Sequence, residues 1–135
     1  MTIISRLMIR LSLVYLLIGL SIGVLLLINK AWLISPLLWF LLPIHIEFMI
    51  FGWIIQFTLG VAYWILPRVL ETKGRGNVKL AWLMLASVNT GIILVTISGY
   101  FPGNNFGFAG RILETLAVLL FIALHWKRVV TYNRS

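Results

Sequence analysis

The chain has 135 residues, of which 61% are hydrophobic and 10% charged, with a formal net charge of +8 and no cysteine. An ordinary soluble domain carries about 25% charged residues, so this composition excludes one and points to a membrane. The absence of cysteine rules out a disulfide framework, a thiolate metal site and covalent c-type haem attachment, and the Lys/Arg excess reads as a topology signal, since no nucleic-acid motif accompanies it.

Four apolar stretches follow in order: Leu7 to Ile28, Leu37 to Leu66, Leu80 to Tyr100 and Phe108 to Val130. Each reaches the roughly 20 residues a bilayer-crossing helix needs, and open strands would leave peptide groups unsatisfied in lipid. The expected fold class is therefore an all-α membrane protein, one four-helix transmembrane domain over residues 1–135. The first stretch follows Arg6 and Arg10 but is long for a signal peptide, and no small-x-small site follows "LLLINKAWL", so it is expected to be retained. Its "GLSIG", Gly19 to Gly23, is a small-xxx-small helix-packing pattern. Pro36 and Pro43 bracket the start of the second stretch, which predicts a helix beginning near Pro43, with the preceding residues re-entrant or interfacial.

Basic residues gather at the N-terminus, in the connection carrying Arg68, Lys73, Arg75 and Lys79, and near the C-terminus at Lys127, Arg128 and Arg134; only Lys30 and Arg111 lie on the opposite side. The positive-inside rule then predicts cytoplasmic termini, with "YFPGNNFGFAGR" an outer turn, in a prokaryotic cell (inner) membrane. Trp32, Trp39, Phe106 and Phe108 fit an interfacial aromatic belt at the outer edge. Glu71 and Lys30 read as solvated or headgroup contacts.

The least lipid-like part of the second helix is a stripe. At about 100° per residue, His45, Met49, Gly52, Gln56, Gly60 and Tyr63 share one face. Small and polar residues mark helix contacts in membranes, so a packing seam is one reading of Gly52, Gly60 and Gln56. The other is a cofactor face, with Met49, Gly52 and Gln56 lining a group held by His45 and Gly52 admitting a porphyrin to the backbone. An intramembrane histidine is a functional candidate: a ligand to haem iron, a hydrogen-bonded structural residue, or a site for another metal or a proton.

Glu47 lies about 200° round from His45, so the two cannot ligate one ion side by side. Arg111 and Glu114 share a face of the fourth helix at the same depth, so Glu47 is expected to pair with Arg111 or to sit at an aqueous boundary. Arg111 could alternatively hold a haem propionate. His125, in "LHWKR" at the basic edge, reads as an interfacial anchor or as a ligand for a second haem. Counted at 1.5 Å per residue it lies roughly 20–25 Å in depth from His45, too far for one haem within a monomer. No nucleophile with an adjacent base, phosphate loop or carboxylate dyad is visible, and no inverted repeat suggests a transporter.

The segment "HIEFMIFGWIIQFTLGVAYWILPR" resembles the second helix of the haem-copper oxidase catalytic subunit (subunit I), especially C-family oxidases and related nitric oxide reductases. The similarity rests on His45, the Phe51–Gly52 pair, Tyr63 and Arg68, and continues in "AWLMLASVNTGIILVTISGY" with Gly99 and Tyr100. The resemblance implies that His45 matches the ligand of the low-spin haem, and that the cofactor is haem b. The family's second haem ligand, copper ligands, cross-linked tyrosine and high-spin haem site lie in later helices, so a complete oxidase is not expected of this chain, and His125 matches no family ligand. The family's subunit is built of three four-helix arcs, and this chain is about one arc long. Identical copies could therefore associate and offer two His45 side chains to one haem.

Three functions follow from these readings: a haem b electron carrier in a respiratory or similar membrane, a cofactor-free accessory subunit, and a haem-based gas sensor. The implied partners are membrane lipids, further copies of the chain, and respiratory-complex subunits or a quinone.

Overall fold

The computed structural model describes residues 1–66, 77–101 and 103–131, and it is helical throughout its spans. The residues Arg68, Glu71, Lys73, Arg75 and Arg134, used above for topology and resemblance, lie outside the described residues. Helix α1 covers Ile3–Trp32 and α2 Leu42–Glu47; a π-helix follows over Phe48–Ile55, then α3 over Gln56–Ile65, α4 over Val78–Ser98 and α5 over Phe106–Thr131. Among the described residues, four segments are long and apolar enough to cross a membrane: Ile3–Trp32, Pro36–Ile65, Val78–Ser98 and Phe106–Trp126.

Local chemistry sets the ends. Thr2 caps α1, its hydroxyl accepting from the Ser5 N–H at 3.2 Å. At the other end Leu33 takes a left-handed conformation (φ 48°) and donates to the Asn29 carbonyl at 2.8 Å, while the Asn29 side chain accepts from the Ser35 N–H at 2.8 Å. Asn29 thus satisfies both sides of the turn that reverses the chain. Beyond it, Pro36–Leu41 forms 3₁₀ turns that run into α2, with Pro43 in the first turn, where a missing N–H costs nothing. The α-helix proper starts next to Pro43 as expected, and the residues before it are continuous with it as 3₁₀ turns.

The wide turns of Phe48–Ile55 are a departure from the uniform 100° step assumed for the stripe. The stripe nevertheless stays directed at α1 and the core. A Cβ built at Gly19 would meet Met49 Sδ at 2.9 Å, one at Gly52 would meet Tyr15 Cγ at 2.6 Å, and one at Gly60 would meet Met8 Cβ at 2.8 Å. Ser5 Oγ donates to the Gly60 carbonyl at 2.7 Å, and Gln56 Nε2 to the Met8 carbonyl at 3.4 Å. Where lipid removes the hydrophobic drive between helices, such close approach supplies dispersion contacts, and each interhelical hydrogen bond adds on the order of 0.6 kcal/mol.

The second seam joins α4 to α5. There a Cβ at Gly110 would lie 2.8 Å from the Gly91 carbonyl, so the two backbones are in contact. The Tyr15 hydroxyl donates to Asn89 Oδ1 at 3.1 Å and ties α1 to α4. The core between the pairs holds Met8, Leu59, Tyr63, Met84, Val88 and Ile92. Trp32, Trp39, Phe106 and Phe108 are exposed.

Candidate functional site

His45 stands on α2 against the glycine pair of α1. Its Nδ1 lies 2.7 Å from the Gly19 carbonyl oxygen. A carbonyl only accepts, so Nδ1 carries the proton in this bond and the neutral ring keeps its lone pair on Nε2. A Cβ at Gly23 would fall 2.7 Å from Cε1 of the ring, which therefore lies directly on the α1 backbone. Beside it is a cavity of about 450 Å³ lined by His45, Gly23, Leu20, Leu27, Lys30, Trp39 and Leu42 among others. Its size falls within the roughly 300–1,000 Å³ of small-molecule sites.

The other members of the stripe face elsewhere. Met49, Gly52 and Gln56 are engaged in the α1 seam, and none of them lines this cavity. Gly23 and Lys30 do line it, and sequence reading assigned neither to the site. The signal was present in their spacing: Lys30 follows Gly23 by seven residues, two turns along the same face of α1.

Arg111 is drawn to a different cluster. Its Nη2 donates to Glu47 Oε2 and its Nη1 to Glu114 Oε2, both at 2.7 Å, and the guanidinium carbon lies 4.8 Å from the Phe51 ring centroid. The expected Glu47–Arg111 pairing is present. With Glu114 on the same face of α5, as its spacing from Arg111 predicts, two carboxylates converge on one guanidinium. Both glutamates are 2% exposed. Gly91 makes room for one of them, since a Cβ there would lie 2.8 Å from Glu114 Cγ. Glu47 and Arg111 line a second cavity of about 910 Å³ with Thr96, Tyr100 and the 3₁₀ turns.

His125 belongs to a third place. It is 3% exposed, its Nδ1 donates to the Phe121 carbonyl at 2.7 Å, and its ring lies 5.7 Å from that of Tyr63. It is therefore not an interfacial anchor; its neighbour Trp126, 67% exposed, takes the outward position. Arg128, also buried, donates to the Leu66 carbonyl and lies over the Tyr63 ring. Because Tyr63 is five turns along from His45, roughly 25 Å at the helical rise, the two histidines do not share a site. Among the described residues no group of three or more His, Cys, Asp or Glu could hold a bare metal ion. A haem, whose porphyrin supplies the equatorial ligands, needs only one or two axial side chains.

Comparison with curated proteins and with solved structures found no match. The sequence model of the family described as "Cytochrome C and Quinol oxidase polypeptide I" matches residues 3–132, nearly the whole chain and all four spans. This multi-pass, all-helical membrane protein belongs to the cytochrome c and quinol oxidase polypeptide I family, the subunit I family of haem-copper oxidases.

Proposed function

We propose that the chain binds haem b through Nε2 of His45 and carries electrons in a prokaryotic cell membrane, with both termini on the cytoplasmic side. The observation that supports this reading is the hydrogen bond from Nδ1 to the Gly19 carbonyl, which fixes the ring and leaves Nε2 as the donor atom beside a cavity. Such a bond orients an imidazole ligand and raises its basicity. Gly23 lets a planar group approach α1, and Lys30, on the same cavity, supplies an ammonium that can pair with a propionate. Leu20, Leu27 and Leu42 make the wall of the cavity apolar, and low polarity around a haem is one control of its potential. When bound, the haem supplies one-electron exchange between ferrous and ferric iron.

The rim of the cavity is exposed and apolar, with Leu20 at 51% and Leu27 at 68%. In this reading a second copy covers it across a two-fold contact and brings its own His45, so that the two copies share one haem.

The test is the haem content and absorption spectrum of detergent-purified protein. The expected result is one haem per two chains with six-coordinate, low-spin bands, lost in His45→Ala. A five-coordinate spectrum that responds to oxygen or nitric oxide would favour a gas sensor. Protein that stays colourless after reconstitution with hemin refutes the proposal in favour of a cofactor-free accessory subunit. That second reading draws support from the engagement of Met49, Gly52 and Gln56 with α1, as a packing seam requires.

A further inference from the structure

We propose that the cavity of about 910 Å³ bounded by the 3₁₀ turns, α2, α4 and α5 binds the phosphoethanolamine headgroup of a membrane lipid, its ammonium on Glu47 and Thr96 and its phosphate on Arg111. Glu47, Thr96 and Arg111 all line this cavity, and the proposal is independent of haem binding at His45.

The buried carboxyl groups come first. Two of them meet one guanidinium at 2.7 Å, on glutamates that are 2% exposed. Together they offer more acceptor sites than the two N–H groups of Arg111 fill. Hydrogen-bonding capacity points the same way: Glu47 Oε1 and Thr96 Oγ1 are buried without a hydrogen-bond partner, and both can accept from an ammonium, which has three donors and no acceptor. Glu114 Oε1, in the same cluster, is likewise unpartnered.

The remaining walls match the rest of the molecule. Arg111 uses two N–H groups on the glutamates; its side chain is 49% exposed, leaving other donors of its planar fork for a phosphate. Leu37, Leu38, Leu41 and Ile46 give the cavity an apolar side suited to acyl chains. Depth agrees as well. Thr96 lies in the last turn of α4 and Arg111 in the second turn of α5, so the site lies within roughly 8 Å of those two helix ends, where a headgroup can reach it. A choline headgroup carries the same charge but has no N–H to give the two orphan oxygens, and an anionic headgroup brings no cation to Glu47.

Native mass spectrometry of the detergent-purified full chain, titrated with phosphatidylethanolamine, phosphatidylcholine and phosphatidylglycerol of identical acyl chains, tests this. We expect phosphatidylethanolamine to bind roughly tenfold or more tightly than either, as one charge-assisted hydrogen-bonded group warrants. In Glu47→Gln and in Thr96→Val the preference should fall to within about twofold. Equal binding of the three lipids by the unmodified chain overturns the proposal, leaving an acyl-chain groove beside a pair of glutamates that holds its own proton. A preference for phosphatidylglycerol overturns it in favour of a simple anion site at Arg111. Should Glu47→Gln fail to fold, Thr96→Val and the comparison on the unmodified chain still decide: an undiminished preference in Thr96→Val counts against the assigned ammonium position.

Discussion

Arg111→Met is the substitution that most directly tests the ion cluster. The guanidinium holds two carboxylates at 2.7 Å, each on a glutamate that is 2% exposed. Removing one partner of a buried ion pair costs about 3–5 kcal/mol, because the charge left behind is uncompensated, and here one side chain serves two buried carboxyl groups. The half-exposed guanidinium and the adjoining cavity admit some water, which brings the expected loss to about 3 kcal/mol at neutral pH. Unfolding in mixed micelles titrated with SDS and followed by helical circular dichroism measures it. The charge origin has a signature that loss of packing lacks. In Arg111→Met with Glu47→Gln, one of the two stranded carboxyl groups is gone, so the pair of substitutions should cost at least about 1 kcal/mol less than the sum of the single costs. An acidic medium, where protonation removes the negative charges, should narrow the gap between Arg111→Met and the unmodified chain. A variant within about 0.5 kcal/mol of the original, or strictly additive costs, would refute the view that this cluster holds α2 to α5.

Three further outcomes are expected. Gly23→Ala drives a Cβ to 2.7 Å from His45 Cε1, so the ring must move; the variant should lose about 1–3 kcal/mol of stability in the same unfolding assay and, on the haem reading, show a fallen haem content or an altered low-spin spectrum. Gln56→Leu gives up one long hydrogen bond of 3.4 Å but also removes Oε1, a buried acceptor without a partner, so stability should change by less than about 1 kcal/mol, measured against Arg111→Met as the reference for a costly change. Since the chain has no cysteine, single replacements report topology cleanly: an impermeant maleimide added to intact cells should label Asn105→Cys, and Lys79→Cys only after permeabilisation, the reverse pattern inverting the proposed orientation.

The four spans were legible because hydropathy and length decide them, and the Glu47–Arg111–Glu114 contacts because helix periodicity puts Arg111 and Glu114 on one face at the depth of Glu47. What sequence does not carry is the neighbour. "GLSIG" announces a seam without saying that His45 lies on Gly23 or that Met49 covers Gly19. The wide turns of Phe48–Ile55 have no compositional mark, because an apolar run reads the same at either pitch. His125 looked interfacial because Trp126 and the basic residues follow it, but adjacent residues on a helix point about 100° apart, and here the tryptophan points outward while the histidine points inward. Lys30 looked like a headgroup contact because a lysine at a helix end usually is one; only the position of the second span shows that it also edges a cavity.

The histidine and the glutamate two residues apart on α2 therefore face two different cavities, and Leu42, at the start of that helix, lines both. This stretch of the continuous second span is held on one side by the bond from His45 to Gly19 and on the other by the pair of Glu47 with Arg111. On the two readings above, a shift of this stretch toward α5 is expected to lengthen the bond from His45 to Gly19, so a ligand on either side should change the affinity of the other by the same factor, measured as a difference in lipid preference between haem-loaded and haem-free protein; identical preferences would refute the coupling.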